Sequence, residues 1–66
     1  MEHPLEKYRR EAGLTRRDLA IKAATTRQTI HRIEVGKQNP SAALIRRLMV
    51  ATNGALTPND FFESAA

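Results

Sequence analysis

Residues 14–34 read LTRRDLAIKAATTRQTIHRIE, and the fold turns on this stretch. Thr15 followed three residues later by Asp18 is a capping-box pair, so a helix starts at about residue 16. Leu19, Ala20 and Ala23 give that helix an apolar side, and it ends at about residue 23. Ala24 and Thr25 must then turn the chain. Thr26 caps a second helix over residues 27–34, and Gly36 stops it. Two short helices joined by a tight turn are the result.

The flanks extend the same pattern. Pro4 suits the first turn of a helix, Leu5, Tyr8 and Ala12 recur at helical spacing, and Gly13 stops it, which predicts a helix over 4–12. After Gly36, Asn39-Pro40 disfavours helix at residue 39. Ser41 then caps a helix over 42–52 whose apolar stripe is Leu44, Ile45, Leu48, Met49 and Thr52. Asn53-Gly54 terminates it. Thr57, Pro58 and Asp60 start a last helix over 58–62, and the tail at 64–66 is expected to fray. No segment alternates with period two. The expected fold class is all-α, a compact five-helix domain occupying residues 1–66 as one unit.

The helix over 27–34 has two unlike sides. At about 100° per residue, with Arg27 at zero, His31 falls at about 40°, Gln28 at about 100° and Arg32 at about 140°; Ile30 and Ile33 fall at about 300° and 240°. Arginine grips guanine O6 and N7 with paired hydrogen bonds, and glutamine grips adenine N6 and N7, each pair worth about 1–3 kcal/mol of discrimination. Arg27, Gln28 and Arg32 are therefore the candidate base readers in a DNA major groove. Thr26, Thr29 and His31 are candidates for further contact. A solvated helix face accounts for each residue taken singly; the two-helix setting favours reading.

Arg16 and Arg17 stand in the first turn of their helix, where backbone amides and the dipole favour an anion. With Lys37, Gln38 and Ser41 they form the candidate phosphate contacts, which set register rather than sequence choice. Arg46 and Arg47 lie off the apolar stripe and read as solvent-exposed.

Bulk properties agree. The chain has 66 residues and no cysteine, with 41% hydrophobic and 27% charged residues, which suits a small globular domain without disulfides or thiolate metal sites. A net charge of +4 fits a polyanionic partner and equally an ordinary soluble surface. MEHPLEKYRR has no signal-peptide core, and nothing approaches a membrane span. The expected location is cytoplasmic. His3 and His31 have no metal-ligand partners nearby in sequence, and Ser41 and Ser64 have no nucleophile constellation. Neither an enzyme nor a cofactor, metal or small-molecule ligand is expected.

LTRRDLAIKAATTRQTIHRIEVGKQNPS resembles the helix-turn-helix core of the phage repressor/Cro family, also called the XRE family. The likeness runs from about Leu5 to Phe62 and rests on Arg9, Gly13-Leu14-Thr15, Leu19-Ala20, Ile30-x-x-Ile33-Glu34-x-Gly36-Lys37, Asn39-Pro40-Ser41 and Phe61-Phe62 together. It implies a lambda-repressor-like five-helix fold, dimeric binding to a pseudo-palindromic operator, and repression. It matches family base readers to Arg27, Gln28 and Arg32, and family phosphate contacts to Arg16, Lys37 and Gln38. It also implies an ion pair between Arg9 and Glu34. The turn departs from the pattern, because Ala24 stands where glycine is frequent; alanine there is strained if the backbone is left-handed. A lone reading domain looks Cro-like, with a weak homodimer completed on DNA. The candidate dimer surface lies around Leu56, Phe61 and Phe62, though the phenylalanines also suit capping the core. An antitoxin and a purely protein-binding helical module are the alternatives.

Overall fold

A computed structural model describes residues 2–64, apart from the side chains of residues 62–64. It has five helices: α1 (Pro4–Glu11), α2 (Arg16–Lys22), α3 (Arg27–Glu34), α4 (Ala42–Ala51) and α5 (Pro58–Ser64). No strand occurs among the described residues. The expected helices are all present; α3 has the expected bounds, and the C-terminal ends of the others differ by one or two residues.

The shifts at the ends of α1, α2 and α4 share a cause. Ala12, Ala23 and Thr52 are C-caps rather than helical residues. After each, the chain doubles back in the same double hydrogen bond. Gly13 N–H donates to Arg10 C=O and Leu14 N–H to Arg9 C=O. Ala24 and Thr25 repeat this with Ile21 and Ala20, Gly36 and Lys37 with Ile33 and Arg32, and Asn53 and Gly54 with Val50 and Met49. This closure needs a left-handed residue just past the cap. Gly13 and Gly36 serve two of the turns, at φ 71° and 79°. Ala24 adopts φ 55°, so the strained alternative for the turn is the one realised.

N-termini are closed as the sequence predicts. Thr15 Oγ1 accepts from Asp18 N–H at 3.0 Å, and Thr15 N–H donates to Asp18 Oδ2 at 3.0 Å. Those bonds hold the Asp18 carboxyl below its ordinary range. Thr26 and Ser41 cap α3 and α4 through their hydroxyls. The cap of α1 was not legible beforehand. His3 Nδ1 accepts from Leu5 N–H at 3.0 Å, in the place that Ser, Thr, Asp or Asn usually fills.

One core holds the helices together. Leu5, Leu19, Ala20, Ala23, Ile30, Ile33, Leu44, Ile45, Leu48, Leu56 and Phe61 form it, with Tyr8, Met49 and Ala51 packed against it. α2 packs mainly on α3, α1 joins α3 to α5, and α4 lies against α2. Leu56 and Phe61 are each 3% exposed, so they are core residues and do not supply the expected dimer surface. Ser64, expected in the fraying tail, is the last residue of α5; the Phe62 side chain and residues 65–66 lie outside the described residues. Among the described residues, the large apolar side chains that face solvent are Ile21, Val35 and Val50. Among the described residues, no helix is long and apolar enough to cross a membrane.

Candidate nucleic-acid interface

Ile30 and Ile33 anchor α3, at 0% and 1% exposure. Burying them turns the other side of the helix outward. Arg27, Gln28, His31 and Arg32 are all exposed, and Thr29 is half-buried. No hydrogen bond to another described residue holds the side chains of Arg27, Gln28, His31 or Arg32. Arg27, Gln28 and His31 share one concavity of about 430 Å³ with Arg16 of α2. Four long polar side chains from two helices thus meet at one place on the surface.

The other predicted residues are less uniform. Arg17, Lys37 and Gln38 are exposed, as expected of backbone contacts. Thr26 and Thr29 are already engaged, with their hydroxyls 2.9 Å apart and Thr26 Oγ1 also accepting from Thr29 N–H at 3.1 Å. Ser41 Oγ accepts from Leu44 N–H at 3.1 Å, which leaves its hydroxyl hydrogen available to donate to an outside acceptor. Arg46 is exposed. Arg47 is exposed too, but it is not simply a solvated cation: its Nε donates to Ala23 C=O at 2.9 Å. That bond satisfies a carbonyl at the end of α2 and ties α4 to the turn before α3. The partners are 24 residues apart, so no local signal foretells the bond.

Glu34, at the end of α3, is tied to α1 and α2 by ion pairs with Arg9 and Arg16. Its side chain is 0% exposed. Arg9 Nε donates to Oε2 at 2.8 Å and Arg9 Nη2 to Oε1 at 3.2 Å, while Arg9 Nη1 donates to Leu14 C=O at 3.1 Å. The hydrogen bonds to Glu34 raise the Arg9 pKa above its ordinary value, against a smaller opposing effect of burial. A carboxylate at the last position of a helix opposes the dipole, and so does an arginine at the first. Glu34 and Arg16 are such a pair, and they meet: Arg16 Nε donates to Glu34 Oε1 at 3.0 Å. Pairing the two offsets both local penalties. Sequence reading found Arg9 with Glu34 but missed Arg16, which it assigned only to phosphate.

Comparison with known proteins places these features. Residues 3–56 match the sequence profile of a family described as "Helix-turn-helix domain". Over 44 residues the chain is 41% identical to an "Uncharacterized HTH-type transcriptional regulator" of Methanothermobacter thermautotrophicus; the match covers 67% of this chain and 64% of that protein. The chain therefore spans under two thirds of that relative's length. No solved structure gives a significant match.

Proposed function

Since the chain belongs to the helix-turn-helix domain family, we propose that it is a transcriptional regulator that binds double-stranded DNA sequence-specifically through α3. One observation carries this reading: Arg27, Gln28, His31 and Arg32 stand exposed on the outer side of a helix whose inner side is locked by Ile30 and Ile33. An α-helix fits the major groove of B-form DNA, which is about 12 Å wide. In this reading Arg27, Gln28 and Arg32 contact base edges. Arg17, Lys37 and Gln38 contact phosphates on either side, with Ser41 as a lesser contact through its hydroxyl hydrogen.

The finer proposal is a Cro-like repressor acting as a dimer on a pseudo-palindromic operator. Half-sites lie about 34–36 Å apart along one face of the duplex. The longest dimension of the domain is 27 Å. One domain therefore reaches one half-site, and two-fold reading needs two copies. A weak dimer suffices, because a shared duplex raises the effective concentration of the second copy. The role is binding rather than catalysis and calls for no cofactor.

Selection of bound duplexes from a random pool tests both levels. Enrichment of two inverted half-sites about one helical turn apart is the expected outcome. Enrichment of a single half-site would remove the dimer and keep the reader. No enrichment above background would remove sequence-specific binding.

A further inference from the structure

Arg16 differs from its neighbours in the concavity. Of the four lining residues, Arg16, Arg27, Gln28 and His31, only Arg16 has its side chain hydrogen-bonded to another described residue. Its partner is a fully buried carboxylate, yet 38% of the Arg16 side chain remains exposed. The guanidinium is a rigid planar fork of N–H donors. With Nε on Glu34, the direction of the whole fork is set, and the Nη groups remain to donate elsewhere. Two cations and one carboxylate, Arg9, Arg16 and Glu34, leave this cluster one positive charge in excess.

We propose that Glu34 is a positioning residue for DNA binding. Its buried carboxylate holds the Arg16 guanidinium with the Nη edge turned outward, as a preformed clamp for one backbone phosphate. The proposal rests on the DNA-binding reading above and deepens it. The first helix of a helix-turn-helix pair crosses the sugar–phosphate backbone, which makes phosphate the neighbour of a residue at the start of α2. One phosphate oxyanion also balances the excess charge of the cluster. A freely rotating arginine loses its rotamer freedom when DNA binds, whereas Arg16 has already lost it on folding. Lysine cannot replace it, because a single ammonium drawn to Glu34 has no second edge to present.

The test measures affinity for a mixed-sequence duplex across a salt series, with a thermal melt for each variant. Backbone contacts act on any sequence, so no operator is needed. Arg16→Lys is expected to bind about tenfold more weakly at unchanged net charge, the loss of one oriented charged hydrogen bond, and to keep the wild-type salt slope. Arg16→Gln is expected to bind at least as weakly, with a slope shallower by about 0.9. Arg46→Lys, a like-for-like control on α4, is expected to match wild type. In a Glu34→Gln background the Arg16→Lys change is expected to have little further effect, because the clamp is already undone. Wild-type affinity in Arg16→Lys would show that charge alone suffices and overturn the proposal while leaving DNA binding intact. A wild-type chain that binds no duplex would overturn both. If Glu34→Gln fails to fold, the two Arg16 variants decide by themselves.

Discussion

Among the described residues, Ala24 carries the clearest local strain. It sits at φ 55°, where a β-carbon crowds the following carbonyl, and its side chain is exposed. Removing the methyl group therefore relieves strain without emptying the core. Ala24→Gly is expected to stabilise the fold by about 0.5–1 kcal/mol, after the added entropy of the unfolded chain is subtracted. For a domain of this size, a thermal melt reads about 4–8 °C per kcal/mol. An unchanged or lowered midpoint would contradict the left-handed turn. On α3 the residue-scale expectation concerns reading. Gln28→Ala should relax preference at particular base positions, while Lys37→Ala should weaken binding to every sequence alike. Retained discrimination by Gln28→Ala in a binding titration over operator variants would exclude Gln28 as a reader.

At the scale of elements, the joints between helices depend on polar side chains buried among apolar ones. Thr52 looked in sequence like part of the apolar stripe of α4, and it is indeed buried at 3%. Its hydroxyl has a further task. Thr52 Oγ1 donates to Leu48 C=O at 2.8 Å and accepts from Leu56 N–H at 3.3 Å, which joins the end of α4 to the segment leading into α5. Thr52→Val keeps the shape and orphans the Leu56 amide. The expected cost is about 1–3 kcal/mol, measured as a shift in urea midpoint at constant m-value. Helix existence was legible in the sequence because caps, stops and apolar spacing act within a few residues of one another. The three-way contact of Arg9, Arg16 and Glu34 was only half legible, because its members are brought together by the packing of α1, α2 and α3.

Across the whole molecule, α1 and α5 close the core through a titratable contact. The His3 ring lies 6.0 Å from the Phe61 ring, centroid to centroid, while its Nδ1 accepts the Leu5 amide. Burial lowers the His3 pKa from its ordinary 6.5, against smaller opposing effects of Glu34, Asp60 and Glu6. On acidification the unfolded chain therefore takes this proton first. The contribution of His3 is complete above 6.5 and is lost as pH falls below that value towards the folded-state pKa. Protonation also removes the lone pair that caps α1. Melts between about pH 7 and pH 5 are expected to show a falling midpoint, and His3→Asn, a cap that does not titrate, should flatten the fall. An equal slope in both proteins would place the pH dependence elsewhere.

The number of helices, their approximate ends and the polar side of α3 follow from the sequence alone, because each depends on interactions spanning four residues or fewer. The sequence also isolated the one open question at the turn, and the backbone of Ala24 resolved it towards strain. Packing decided the rest. It sent Leu56 and Phe61 into the core, drew Arg47 onto the carbonyl of Ala23, and set Arg16 beside Arg27 with Glu34 beneath it. These contacts join residues far apart in the chain, and their geometry exists only once the helices have closed on a shared interior.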